Sequence, residues 1–194
     1  MSAMQFRKYS FEELKQQSLS LTQLNDCSRL PLYVIVENVR SLNNVGSIFR
    51  TADGLRFSQV ILTGYTGRPP RKEIDKTALG AVETVPWKEY DTSAEGITIL
   101  KKDKIPVIGL EQTEKSIDFQ EFNYSFPSAI ILGNEFKGIE QSTLEMCDAC
   151  VSLPMFGIKH SLNVSTAFGV IAYEMFKQLK HSAGNSGQGN SYQI

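Results

Sequence analysis

No glycine fingerprint for a nucleotide occurs in these 194 residues: GxGxxG is missing, and so is GxxxxGK followed by Ser or Thr. The familiar dinucleotide and P-loop sites are thereby disfavoured. GxSxG is also missing, and His160 and His181 are the only histidines, which leaves no plausible hydrolytic triad. Cysteines number three, an odd count that argues against a disulfide framework. Cys147 and Cys150 form a CDAC pair, but a zinc site needs four ligands and no second pair exists, so no metal is expected. The pair sits between a helix and a strand and reads as buried structural thiols rather than a thioredoxin-like redox centre. No apolar run reaches membrane-spanning length, and MSAMQFRKYSFEEL lacks the apolar region of a signal peptide. The expected location is the cytoplasm, with no membrane partner.

A surplus of positive charge is lacking too. The formal net charge of −1 gives no global attraction to nucleic acid, so such a role would need a local basic surface. The densest candidate is Arg68, Arg71, Lys72 and Lys76, after a Gly-Tyr-Thr-Gly turn. An ordinary solvated loop has the same composition.

What is present suits one globular domain: 41% hydrophobic and 21% charged residues. Residues 9–24 read as a leading helix with Ser10 as N-cap and Glu13 closing a capping box. LYVIVENV (32–39) is a continuous apolar run of strand length, as for a strand covered on both faces. Asn43 and Asn44 offer caps to a helix carrying Val45, Ile48, Phe49 and Ala52. Further strands are expected at 59–64, in VETVPW, at 105–110, at 128–133 and at 149–154. Further helices are expected in IDKTALGA, at 93–102, at 138–146 and at 163–180, the last with a core-facing stripe of Phe168, Ile171, Met175 and Leu179. This alternation predicts an α/β fold with a mostly parallel sheet flanked by helices. Residues 182–194 have the composition of a disordered tail.

Three clusters hold the chemistry. In NNVGSIFRTAD (43–53), Asn44 and Arg50 lie six residues apart and converge only if Asn44 precedes the helix. The plain reading is a capping Asn and a surface Arg; the functional one has Arg50 facing a cleft at a strand's carboxyl end. In IILGNEFKGI (130–139), two glycines flank Glu135, which fits a backbone close to a ligand or a simple strand-to-helix turn. In LPMFGIKHSLNVSTA (153–167), Gly157, Ser161, Asn163 and Ser165 stand ahead of the closing helix, where exposed N–H groups suit a polar ligand or a cap.

Taken together, in this order and separation, the three clusters resemble the signature motifs of the SpoU family of RNA ribose 2′-O-methyltransferases, over roughly residues 31–180. The resemblance implies a SPOUT-like domain at 31–181 with a C-terminal deep trefoil knot, behind an N-terminal helical extension at 1–30. It also implies S-adenosylmethionine (AdoMet) as cofactor, and a homodimer whose two subunits complete the site. Carried over, the catalytic set maps to Asn44, Arg50, Glu135, Ser161 and Asn163. The cofactor contacts map to Leu132, Gly133, Leu153, Met155 and Leu162, with Leu153 standing where the family more often has isoleucine. Arg50 is then either the base or a forked clamp on an RNA phosphate, the second being easier for a guanidinium. RNA is the implied partner, tRNA ahead of rRNA, because the first 30 residues supply no separate RNA-binding domain. The alternative is a non-catalytic relative that binds RNA or AdoMet.

Overall fold

In the computed structural model, which describes residues 6–18, 20, 23 and 27–185, the long apolar run is a strand, β1 (Leu30–Glu37). Its side chains alternate between two cores. Val34 and Val36 face one, Ile35 faces the other, and all three are fully buried. Burial on both faces is why the run reads as continuous rather than alternating. The remaining strands are β2 (Phe57–Thr63), β3 (Trp87–Tyr90), β4 (Val107–Leu110), β5 (Ile117–Asp118), β6 (Ser128–Leu132) and β7 (Ala149–Ser152). They join β1 in a 7-stranded sheet of order β3-β2-β1-β6-β4-β7-β5, parallel at every pairing.

The larger core lies between one face of the sheet and the helices α2 (Leu42–Gly54), α3 (Lys72–Ala78), α4 (Ala81–Thr84) and α7 (Val164–Asn185). Phe49, Phe57 and Phe168 are fully buried there, and Phe57 meets Phe168 edge-on with centroids 5.3 Å apart. Each such ring contributes roughly 1.5–3 kcal/mol through burial alone. The smaller core packs α5 (Ser93–Lys102) against Ile35, Ile61 and Ile131, with Leu144 of α6 (Gln141–Leu144) at its margin.

Several expectations change. The leading helix is α1 (Phe11–Gln17), far shorter than 9–24, although the capping box forms as expected. Ser18 turns extended and its hydroxyl donates to the Leu14 carbonyl, and α1 buries no side chain that would prolong it. Residues 19, 21, 22 and 24 of that expectation lie outside the described residues. Ser41, not Asn43 or Asn44, caps α2, so Asn44 belongs to the first helical turn. VETVPW is not a strand: Ala81 and Val85, one turn apart, both face the core through α4, and strand pairing begins only at Trp87. The helix expected at 138–146 shrinks to α6, because Gly138 has φ +70° and Glu140 is extended. Residues 182–185 of the supposed tail continue α7, and residues 186–194 lie outside the described residues.

Cys147 and Cys150 are half-buried free thiols rather than fully buried ones. Burial, with Cys150 and Asp148 nearby, pushes the Cys147 thiol up to about 12. A raised thiol stays protonated and unreactive at pH 8. In the native protein, iodoacetamide at pH 8 is therefore expected to modify Cys147 on the order of a hundredfold more slowly than in urea, where ordinary thiol acidity returns. Equal labelling rates by peptide mass spectrometry would contradict this environment.

Candidate functional site

Open parallel sheets bind ligands outside the carboxyl ends of their strands, and there the three clusters meet. After β6 the chain folds back on itself. Asn134 N–H donates to the Gly138 carbonyl (3.0 Å), and Gly138 N–H donates to the Asn134 carbonyl (2.9 Å). The Asn134 side chain fills this turn, its Oδ1 accepting from the N–H groups of Phe136 (2.9 Å) and Lys137 (3.0 Å). Glu135 is thereby turned towards the start of α2.

The Glu135 carboxylate accepts three hydrogen bonds: from Arg40 N–H (3.0 Å), Ser41 N–H (3.0 Å) and Asn44 Nδ2 (2.9 Å). Burial alone would raise its pKa, but the donors of Arg40, Ser41 and Asn44 outweigh it and hold the group below the usual carboxylate range. An anion at the N-terminus of α2 is also favoured by the helix dipole. A carboxylate accepts only, so Asn44 must present its amide nitrogen to Glu135 and its oxygen elsewhere. That oxygen accepts from Asn163 Nδ2 (3.0 Å). Asn163 in turn caps α7, its Oδ1 accepting from Ser165 N–H (2.9 Å). Capping and site assembly are one arrangement here, not rival readings.

A cleft of about 330 Å³ opens beside this chain of bonds. Leu132, Gly133, Leu153, Met155 and Leu162 line it, together with Glu135, Ser161 and Asn163. Its walls mix apolar side chains with free backbone, a pattern typical of small-molecule sites. Sequence reasoning missed Glu111 and Gln112, which line the same cleft. Glu111 Oε2 accepts from Ile139 N–H (2.9 Å) and so supports the Gly138 turn. The signal was available: both residues directly follow the carboxyl end of β4. Gln112 Nε2 also donates to the carbonyl of His160, an exposed surface histidine.

Arg50 does not join the group. Six residues beyond Asn44 on a regular helix, it lies roughly 9 Å further along the axis and about 120° around it. Its side chain is exposed and makes no hydrogen bond or ion pair among the described residues. Convergence through a pre-helical Asn44 therefore does not occur within one copy of the chain. Ser161 is exposed at the cleft wall.

The basic cluster is mostly helical rather than a loop. Lys72 and Lys76 lie one turn apart on α3, and Arg71 is its N-cap residue. Arg68 is ion-paired with Glu89 at 3.3 Å, which removes much of its free charge. The cluster stands close to the first turn of α2, since Thr77 Oγ1 donates to the Asn43 carbonyl (3.0 Å).

The profile of the SpoU rRNA Methylase family matches residues 31–173. A 23S rRNA (guanosine-2′-O-)-methyltransferase of Neisseria meningitidis serogroup B is 34% identical over 155 residues, covering 80% of this chain and 62% of that one. The tRNA (guanosine(18)-2′-O)-methyltransferase of Escherichia coli K12 is 31% identical over 151 residues, covering 78% and 65%. This chain thus spans less than two thirds of the length of either relative. Among solved structures, the SpoU methyltransferase AviRb of Streptomyces viridochromogenes, in complex with AdoMet, superposes with TM-score 0.73 at 25% identity, covering 79% of this chain and 63% of that one.

Proposed function

The chain belongs to the SpoU rRNA Methylase family, and we propose that it transfers a methyl group from AdoMet to the 2′-hydroxyl of an RNA ribose. The observation that carries this reading is the bonded chain Glu135–Asn44–Asn163 standing at the rim of the cleft lined by Gly133, Leu153 and Leu162. It joins all three motif segments at the strands' carboxyl ends.

The cleft residues fit the cofactor. Leu132, Leu153 and Leu162 offer apolar cover for an adenine and its thioether chain, while Glu111 and Gln112 offer polar groups for hydroxyls. At Gly133 the backbone of Gly138 and Ile139 is too close for any side chain, which leaves bare backbone at the cleft floor. Bound AdoMet supplies an electrophilic methyl on a sulfonium, and the ribose oxygen must approach it in line. The chain's own contribution is largely positioning. Ionised Glu135 fixes Asn44, and Asn44 fixes Asn163; Ser161 at the cleft wall is free to bond the ribose. Arg50 acts as a forked clamp on the RNA phosphate, with a phosphate oxygen or water taking the hydroxyl proton, since a guanidinium is hard to deprotonate.

The wider reading takes residues 31–181 as the methyltransferase domain, after an extension at 1–30, in a cytoplasmic homodimer. Pairing is supported by Leu162, Val170 and Tyr173, apolar or aromatic residues exposed on and just before α7. It would also bring Arg50 to a site it does not reach alone. A trefoil knot is supported by β7 lying between β4 and β5. Arg71, Lys72 and Lys76 would hold RNA phosphates, with ion-paired Arg68 a weaker contributor. The substrate is tRNA in the first reading and rRNA in the second, the relatives' names dividing between them.

Isothermal titration is expected to show AdoMet binding, and labelled AdoMet to methylate either a tRNA or an rRNA fraction. Nucleoside mass spectrometry of RNA from cells with and without the protein then identifies the product. Cofactor binding with no transfer to either fraction favours the non-catalytic relative, and no binding at all overturns both readings.

A further inference from the structure

We propose that Phe136 and Tyr65, flanked by Arg40 and Lys137, form a stacking shelf for an unpaired RNA base next to the methylated ribose; the proposal rests on the reading of this chain as an RNA-modifying enzyme. A second cavity, of about 490 Å³, is lined by Arg40, Tyr65, Asn134, Phe136 and Lys137. Asn134, Phe136 and Lys137 also line the cofactor cleft, so the two spaces share a wall.

The rings on this wall are unusually open: Phe136 is 83% exposed and Tyr65 59%. Isolated exposed aromatics are common and prove little alone. These two, however, are held by one buried residue. Asn134 receives the backbone N–H of Phe136 (2.9 Å) on its Oδ1, and its Nδ2 donates to the Tyr65 hydroxyl (3.1 Å) and to the Asn38 carbonyl (2.8 Å). Tyr65 is fixed a second time, its N–H donating to Asn38 Oδ1 (3.1 Å). The Tyr65 hydroxyl accepts in this bond, so its own hydrogen is left to donate.

The flanking charges point to the ligand class. The Arg40 guanidinium lies 5.8 Å from the Phe136 ring centroid, and neither Arg40 nor Lys137 makes an ion pair among the described residues. Glu135, the acid next in sequence, is occupied by the backbone N–H groups of Arg40 and Ser41 and by Asn44. Two exposed rings between two cations without ion-pair partners match a nucleotide: the base stacks while its phosphate meets the cations. Adjacency to Glu135 and the cleft places that nucleotide at or beside the acceptor ribose. The shelf lies outside the basic cluster on α3 and would read the RNA locally rather than hold it at a distance.

The test is a short single-stranded RNA carrying a fluorescent purine analogue, titrated with full-length wild type, Phe136→Ala and Phe136→Tyr. Wild type should quench the analogue by stacking, and Phe136→Tyr should retain this. Phe136→Ala should weaken binding by about 5- to 150-fold, the range for one lost base stack. The same variants are assayed for methyl transfer, where the loss should fall on KM for RNA. If wild type fails to quench, or Phe136→Ala quenches as wild type does, the shelf is overturned whatever the enzyme does. If quenching depends on Phe136 but no RNA fraction is methylated, the shelf stands and the methyltransferase reading falls.

Discussion

Gly133→Ala is expected to abolish AdoMet binding and to destabilise the fold by about 3 kcal/mol or more. A Cβ at this position would lie 2.2 Å from the carbonyl carbon of Gly138, 2.2 Å from Ile139 N and 2.5 Å from the Gly138 oxygen. All three atoms are backbone, so no rotamer change relieves the clash and the turn itself must move. That turn is closed by reciprocal bonds between Asn134 and Gly138 and carries Glu135 at its tip. Overpacking a well-fitted interior costs typically ~1–3 kcal/mol, and a rigid backbone obstacle belongs at or above the top of that range. For a chain of this size the unfolding midpoint should fall by roughly 6–12 °C. Thermal melts and calorimetry with AdoMet measure the two effects. A variant that melts and binds as wild type would mean that the Gly133–Gly138 approach is not needed for the cleft.

The second large effect is expected from Arg50→Ala, and only on turnover. Arg50 is exposed, has no partner among the described residues and lies off the cleft, so its removal should leave stability and AdoMet affinity unchanged. Methyl transfer should fall by about 100-fold or more, the usual scale for losing a group that positions or deprotonates the reacting atom. Arg50→Lys separates the roles. A lysine keeps the charge but not the planar fork, so partial activity fits a phosphate clamp. Full activity in Arg50→Ala would remove the residue from the mechanism altogether.

Legibility in the sequence followed how local the determining contacts are. The Ser93–Lys102 helix and the buried strand ending at Leu132 were readable to within a residue, because cap, apolar stripe and length all lie within the segment. The stretch 138–146 was not. There, Glu111 and Glu37, distant in sequence, take the N–H groups of Ile139 (2.9 Å) and Glu140 (2.9 Å) before a helix can form. The two-residue strand Ile117–Asp118 is likewise defined by its neighbour rather than by its own composition. Among the site residues, the grouping of Asn44, Glu135 and Asn163 was available only through the motif resemblance, since each alone looked like a cap or a solvated acid. Arg50 shows the reverse case. Its motif membership put it with the others, while helix geometry keeps it apart within one copy.

The placement of β7 sets an order of events during synthesis. The ribosome makes β4 and β5 first, yet β7 later lies between them, pairing with both. The sheet cannot be laid down strand by strand as the chain emerges. Among the described residues β5 has no other partner in the sheet, so it waits unpaired until the segment around Val151 has been made. Closing such a non-local pairing is slow compared with helix formation. Ser152 and Leu153, at the end of β7 and just after it, supply one wall of the cleft. A nascent chain that stops short of Ala149 thus lacks that wall, and the cleft is complete only once the last strand is seated.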